Sequence, residues 1–181
     1  LSAAGLWLTG ARRPSAGAAA FMAAALLVGA GVNPIRIGVF NWNTTAAGKT
    51  VAAINAKDPG HWVVLDGVNP GLVMEADVSA FTGIQAFPNR ITWRQFDPNG
   101  QYKNVWNRYA HIMWTSDQTA SRIANPQRDV ITIRFDPCAS YEQQHLGYAI
   151  SDRPVTSQCL APIETVHAGQ TVYYYYRLVK Q

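Results

Sequence analysis

The stretch Ile35–Leu65, IRIGVFNWNTTAAGKTVAAINAKDPGHWVVL, decides the fold class that we expect for this chain. Ile35–Phe40 alternates in the manner of a β-strand. Ala46–Lys57 has the composition of a short helix, and Trp62–Leu65 is a continuous apolar run, as in a strand buried on both faces. A strand, a helix and a strand within about 30 residues predict a βαβ unit with parallel strands.

The remainder of the chain continues to mix helix-like and strand-like segments. We expect short helices at Leu72–Phe81 and Ser140–His145, an irregular stretch at Pro88–Gln101, and strands at Ile84–Phe87, Val105–Trp114, Val130–Phe135, Tyr148–Ile150 and Thr171–Val179. Ser140 with Gln143 three residues later fits a capping box. The predicted fold is therefore α/β, with a mixed sheet, a βαβ start and short covering helices.

A second apolar stretch, Ala16–Val32 (AGAAAFMAAALLVGAGV), contains no charged residue and follows Arg12 and Arg13. A helix over this stretch that begins at Pro14 would be about 28 Å long, close to the thickness of a bilayer's hydrocarbon core. We therefore predict that residues 1–32 form a membrane segment: the end of one helix, an Arg-Arg loop and the last transmembrane helix. A secretory signal peptide and an alanine-rich core helix are the alternatives.

The two arginines also predict an orientation. Positive residues beside a membrane helix favour the cytoplasmic side, so residues 33–181 are expected to form an α/β domain on the exoplasmic side of the cell membrane. Membrane lipid would then be a partner through residues 1–32. Cys138 and Cys159, the two cysteines of the chain, would meet an oxidising compartment and could form a disulfide. Two buried free thiols are the alternative.

The charge balance argues against a nucleic-acid partner. The chain has 15 Lys and Arg against 11 Asp and Glu. Two of the cationic residues, and none of the acidic ones, lie in residues 1–32, so the remainder has a net charge of only +2. No cluster of basic residues appears along the sequence, and we expect no nucleic-acid binding.

Gly48-Lys49-Thr50 follows a predicted strand and opens a predicted helix, as a phosphate-binding loop does. That motif requires a further glycine five residues before Gly48, where this chain has Asn43. We therefore expect no nucleotide cofactor here, and Lys49 is interpreted as an exposed residue at a helix start.

The four histidines, His61, His111, His145 and His167, are scattered along the sequence. No pair has the spacing of metal ligands, so neither a metal site nor a cofactor is predicted. No nucleophile motif appears either, and no catalytic residue is assigned.

Aromatic residues are concentrated between residues 93 and 114. Six of them fall within 22 residues: Trp93, Phe96, Tyr102, Trp106, Tyr109 and Trp114. Proteins bind sugars by stacking them on aromatic rings with polar groups at the edges. Strand alternation would place Asn107, Tyr109 and His111 on the more polar face. These three residues and Arg108 are the candidate glycan-binding residues, and ordinary core aromatics are the alternative.

Several short motifs together resemble a known family. In chain order they are Asn33-Pro34, Gly60-His61-Trp62-Val63-Val64, Gly83-Ile84-Gln85, Phe87-Pro88, Trp106-Asn107-Arg108-Tyr109-Ala110-His111 and Leu146-Gly147-Tyr148-Ala149-Ile150. The chain is similar over roughly residues 30–160 to the C-terminal exoplasmic part of large bacterial multi-pass membrane proteins. Those proteins resemble lipid-sugar-dependent glycosyltransferases of the C superfamily.

The resemblance implies that this chain is the C-terminal part of a longer protein that assembles cell-envelope glycans. In that superfamily the catalytic acidic residue lies in an early exoplasmic loop, so no catalytic residue can be transferred to this chain. The implied role is a non-catalytic accessory domain whose partner is a glycan or a lipid-linked sugar. A secreted or anchored carbohydrate-binding module, and an enzyme with an unrecognised site, are the other hypotheses.

Overall fold

The computed structural model describes residues 14–29 and 41–181. The chain divides into two units, residues 1–40 and residues 41–181. In the first unit, helix α1 covers Pro14–Gly29 and contains no charged residue. Among the described residues, no helix is both long enough and apolar enough to cross a membrane. The predicted transmembrane helix was longer, because it continued to Val32.

Several predictions concern residues outside the described ranges. They are the end of one membrane helix and the loop at Arg12 and Arg13, and the strand Ile35–Phe40. The first strand of the predicted βαβ unit therefore stays a prediction.

Residues 41–181 contain five short α-helices, one 3-10 helix (Trp42–Thr44) and eight strands. The helices are α2 (Ala46–Lys57), α3 (Gly71–Met74), α4 (Arg90–Phe96), α5 (Lys103–Trp106) and α6 (Ser140–His145). The strands are β1 (Trp62–Val64), β2 (Gly83–Gln85), β3 (Ala110–Thr115), β4 (Ile123–Gln127), β5 (Val130–Arg134), β6 (Tyr148–Ser151), β7 (Leu160–Ala168) and β8 (Thr171–Leu178).

The α/β class is confirmed, but the strands form two mixed sheets where one was predicted. The first sheet has the order β1-β6-β8-β7, in which β1 and β6 are parallel and the other pairs antiparallel. The second has the order β2-β3-β5-β4, in which β3 and β5 are parallel. A parallel bridge between Leu65 and Trp114 connects the end of β1 to β3. Strands β6, β1, β3 and β5 consequently run in the same direction.

Strand β1 lies between two hydrophobic clusters, as its continuous apolar sequence predicts. Trp62 and Val64 pack with α2 and α3, whereas Val63 and Leu65 pack with residues of α4, α5 and the second sheet. All four side chains are buried. The strand therefore joins the two cores, and the second sheet is held against the first through it.

Helix α2 has the bounds that the sequence predicts. Its N-cap is Thr45, whose hydroxyl accepts a hydrogen bond from the Gly48 amide at 3.0 Å. A Cβ at Gly48 would lie 2.1 Å from the carbonyl oxygen of Trp42. Close backbone packing therefore requires this glycine. Lys49 is exposed on the helix.

The structure differs from the predicted elements mainly in the segment before β3. The stretch predicted as irregular contains α4, and the first residues of the predicted strand Val105–Trp114 form the end of α5. Strands β4 and β7 were not predicted, and the helix predicted at Leu72–Phe81 is limited to α3. The predicted capping box is also wrong, because the N-cap of α6 is Ala139 and has no side-chain hydrogen bond.

The predicted disulfide between Cys138 and Cys159 is confirmed. Their Cα atoms lie 5.4 Å apart and the sulfurs are bonded. The bond links the segment before α6 to the residue before β7.

Candidate functional site

The tryptophans of the aromatic segment belong to the core. Trp93, Trp106 and Trp114 are at most 4% exposed, and the rings of Trp93 and Trp106 stack with centroids 5.6 Å apart. Each indole N–H donates a hydrogen bond, Trp93 to Gln85 Oε1 at 2.5 Å, Trp106 to Asp97 Oδ2 at 2.9 Å and Trp114 to the Phe81 carbonyl at 2.6 Å. Their ring faces are therefore not available to a sugar.

Tyr109 is exposed, whereas Tyr102 of the same segment is partly buried. The side chain of Tyr109 is 54% exposed, immediately before β3. His111 is half-buried on β3, and its ring meets the ring of Tyr109 edge-on with centroids 6.3 Å apart. The neighbouring Ala110 and Ile112 are buried. The alternation of β3 thus turns Tyr109 and His111 away from the core.

Apolar side chains extend the surface around Tyr109. Ile84 is directly opposite His111 in the register of β2 and β3, and it is 61% exposed. Met113, two residues beyond His111 on the same face of β3, is also exposed. We call Ile84, Tyr109, His111 and Met113 the β3 surface. An exposed ring next to an imidazole and apolar groups can pack against a flat ligand and form hydrogen bonds at its edge.

The other two predicted glycan-binding residues lie apart from the β3 surface. The guanidinium of Arg108 donates to Asn125 Oδ1 at 3.1 Å and to the carbonyl of Asn104. Arg108 thereby connects the loop before β3 to β4, and these contacts use two of its five N–H donors. Asn107 is exposed and faces a cleft between α4 and α5.

Gln85 holds the loop that carries Asn107 and Tyr109. Its side-chain amide donates to the carbonyls of Trp106 at 2.9 Å and Arg108 at 2.8 Å. Its carbonyl accepts the hydrogen bond from the Trp93 indole. A single side chain therefore fixes α4, the end of α5 and the start of β3 relative to one another.

The cleft between α4 and α5 was not predicted. It has a volume of about 420 Å³, and its lining includes Arg90, Arg94, Lys103, Asn107 and Asp97. The two arginines are four residues apart, so they lie on the same side of α4. The Arg-x-x-x-Arg spacing could have identified them, but only after Arg90–Phe96 had been recognised as a helix.

A second polar cluster lies where the parallel strands end. Asp66 follows β1, and its side chain is 2% exposed. Its carboxylate accepts hydrogen bonds from Thr115 Oγ1 at 3.1 Å, from the Ser116 amide at 3.0 Å and from Ser116 Oγ at 2.6 Å. Ser151 Oγ, at the end of β6, lies 3.3 Å from it. Asp66 therefore connects the ends of three strands, which is a structural role.

The titratable residues do not form a metal site in the part of the chain that the structure describes. No group of three or more His, Cys, Asp or Glu residues there could hold a metal ion. His61 lies 2.6 Å from the Ser79 hydroxyl through Nδ1, but both residues are exposed. The chemistry of the site is therefore that of stacking, hydrogen bonding and positive charge.

Comparison with known proteins gives a family and no function. No curated protein and no solved structure matches the chain. The chain matches the domain of unknown function DUF7654 over residues 41–181, the same bounds as the second structural unit. Because this match covers more than half of the sequence, the chain belongs to the DUF7654 family.

Proposed function

We propose that residues 41–181 form a non-catalytic exoplasmic accessory domain that binds a glycan. The longer protein would be a membrane glycosyltransferase-like protein that acts in cell-envelope glycan assembly. The observation that carries the proposal is the 54% exposed ring of Tyr109 beside the imidazole of His111. A pyranose can stack on the ring while its hydroxyls form hydrogen bonds with the imidazole.

The expected affinity suits an accessory role. Stacking of a nucleic-acid base on an aromatic ring contributes about 1–3 kcal/mol, and we take a similar magnitude for a sugar on Tyr109. One ring with a few hydrogen bonds then gives a dissociation constant of about 1 mM. A domain that is tethered next to its substrate needs no more, because tethering raises the effective concentration.

The disulfide supports the exoplasmic location. Cys138 and Cys159 are bonded, and disulfides persist in oxidising compartments outside the cytosol. The apolar side chains of α1, such as Phe21, Leu26 and Leu27, are more than half exposed in the structure. Lipid could cover them, and we propose that the segment around α1 contacts the membrane.

The location can be tested with a reporter. Alkaline phosphatase fused after Gln181 of the full reading frame should be active, because that enzyme folds only after export. Activity of a cytosolic reporter at the same position would refute the exoplasmic location.

Glycan binding can be tested on an array of bacterial envelope polysaccharides. The full chain should bind a subset of them, and Tyr109→Ala should abolish this binding. Tyr109→Phe is the matched control, because it keeps the ring and should retain most of the binding. Equal binding by wild type and Tyr109→Ala, with both folded, would refute the assignment of the site.

A secreted or anchored carbohydrate-binding module would use the same β3 surface. The reading frame upstream of Leu1 distinguishes the two hypotheses. Several membrane helices there support the glycosyltransferase-like parent, whereas a signal peptide directly before this segment favours the free-standing module.

A further inference from the structure

We propose that the cleft between α4 and α5 binds a phosphate group. Its volume of about 420 Å³ lies within the usual range of small-molecule sites. The lining of the cleft shares no residue with the β3 surface. Phosphate binding in the cleft does not depend on glycan binding at that surface. The two proposals can therefore fail independently.

The cleft combines three cationic side chains with few counter-charges. Arg90 and Arg94 enter it from α4, and Lys103 enters from the start of α5. Asp97 is the acidic residue of the lining, so the formal charge is +2. This charge is complementary to a phosphate monoester, which carries nearly two negative charges at neutral pH.

Among the residues that the structure describes, the cationic groups of the cleft form neither ion pairs nor side-chain hydrogen bonds. Within residues 14–29 and 41–181, no carboxylate lies within ion-pair distance of Arg90, Arg94 or Lys103. In contrast, Arg122 forms an ion pair with the buried Glu142, and Arg177 forms one with Asp58. All three residues are exposed and line one cleft, where a bound anion would reduce the repulsion between the two arginines one turn apart on α4.

Hydrogen bonds and aromatic packing hold the backbone between α4 and α5. Asp97 is buried, and its Oδ2 accepts hydrogen bonds from the Tyr102 amide and the Trp106 indole, both at 2.9 Å. The carboxylate is thereby directed into the turn that joins α4 to α5. Trp106, stacked on Trp93, forms part of the lining. The backbone that carries Arg94 and Lys103 therefore lies on packed aromatic rings, while both side chains are exposed.

The groups present match the chemistry of phosphate recognition. Each guanidinium presents a planar fork of donors that fits two phosphate oxygens, and the ammonium acts as a point charge. The side-chain amide of Asn107 adds a neutral donor at the rim. A single carboxylate would use fewer of these donors, so we assign the cleft to a phosphate and not to a uronic acid.

The test is calorimetric titration of the full 181-residue chain in non-ionic detergent at low ionic strength. The probes are inorganic phosphate, glucose 6-phosphate, glucuronate and glucose. We expect saturable binding of the two phosphates and none of glucose. Tighter binding of glucose 6-phosphate than of inorganic phosphate would indicate a phosphorylated sugar as the ligand, whereas equal binding would indicate free phosphate.

Variants locate the site. Arg94→Gln should weaken phosphate binding by at least about tenfold, the cost of losing a charged hydrogen bond. Lys103→Gln is the second variant in case Arg94→Gln does not fold. Arg128→Gln, at an exposed position outside the cleft, is the matched control and should bind as wild type does.

Three results would overturn the proposal. The first is that neither phosphate shows saturable binding to the wild type. The second is that glucuronate binds more tightly than both phosphates. The third is that folded Arg94→Gln and Lys103→Gln bind phosphate as tightly as Arg128→Gln. Tyr109→Ala should leave phosphate binding unchanged, which separates this test from that of the glycan proposal.

Discussion

Replacing Asp66 by alanine is expected to lower the free energy of unfolding by about 4 kcal/mol. The carboxylate is 2% exposed and accepts hydrogen bonds from Thr115, from the amide and hydroxyl of Ser116, and from Ser151. Removing one partner from such a buried, charged network costs about 3 kcal/mol. The ion pair with Arg153 adds little, because the arginine side chain is 60% exposed.

The backbone contributes the remaining part. Asp66 has a φ of 57°, in the left-handed region that Asp, Asn and Gly adopt more easily than alanine. Alanine should therefore cost about 1 kcal/mol more at this position. Asp66→Gly relieves the strain and should lower stability by about 3 kcal/mol, less than alanine does. At an ordinary position the order of the two substitutions is reversed.

The matched control is Asp77, which has a similar φ of 53° but an exposed side chain. Asp77→Ala should cost only the backbone part, about 1 kcal/mol. The assay is urea unfolding followed by tryptophan fluorescence, with m-values compared to confirm that the same surface unfolds. If Asp66→Ala costs no more than Asp77→Ala, the carboxylate does not hold the strand ends together. If Asp66→Gly is less stable than Asp66→Ala, the backbone argument is wrong.

Three further predictions follow from the structure. Intact mass of exported protein should show Cys138 and Cys159 bonded, and reduction should lower stability by about 3 kcal/mol for a loop of this length; free thiols would contradict the pairing. Burial, followed by the hydrogen bond to Asp58, raises the pKa of Tyr148 to about 12 from 10.0. Because the pKa of Tyr148 is higher in the folded than in the unfolded state, the free energy of unfolding should fall as the pH rises from about 10 to about 12. The fall should be smaller in Tyr148→Phe, and equal falls in wild type and variant would contradict the prediction. Lys49→Ala should leave the melting temperature unchanged, whereas a nucleotide that stabilises only the wild type would show a phosphate-binding loop.

The elements that the sequence predicts well are those whose own residues specify them. Helix α2 is flanked by the Thr45 cap and the Asp58-Pro59-Gly60 break, so its pattern is complete without the rest of the fold. β1 is a continuous run of apolar residues, which is not typical of a surface element. It is buried on both faces, as that pattern indicates. In both cases local sequence and tertiary packing favour the same structure.

The elements that were missed depend on contacts with distant residues. The short run before β3 is apolar and aromatic, and periodicity cannot distinguish helix from strand over so few residues. In the structure Lys103–Trp106 is a helix, and the ring of Trp106 stacks on Trp93, a contact across 13 residues that periodicity does not report. β7 contains Pro162 and a register shift between Pro162 and Glu164, which breaks the alternation. β7 is the edge strand of its sheet, where a proline is tolerated.

The candidate site was predictable to a similar degree. The alternation of β3 predicts that Tyr109 and His111 face away from Ala110 and Ile112. In agreement, Ala110 and Ile112 are buried, whereas Tyr109 is exposed and His111 half-buried. The hydrogen bond from Arg108 to Asn125 could not be predicted, because the two residues are 17 positions apart in the sequence. The cleft could not be predicted either, because it lies between α4 and α5, and the sequence pattern did not predict these two helices.

The central claim is that the β3 surface binds a glycan, and methyl NMR tests it most directly. The chain has three methionines, and Met113 is the one that belongs to the β3 surface as defined above. With ¹³C-methyl methionine in the full chain, an oligosaccharide selected from the polysaccharide array is titrated into wild type and Tyr109→Ala. We predict a saturable shift of the Met113 signal that is lost in Tyr109→Ala. A bound oligosaccharide that leaves Met113 unchanged and shifts another methyl would contradict it.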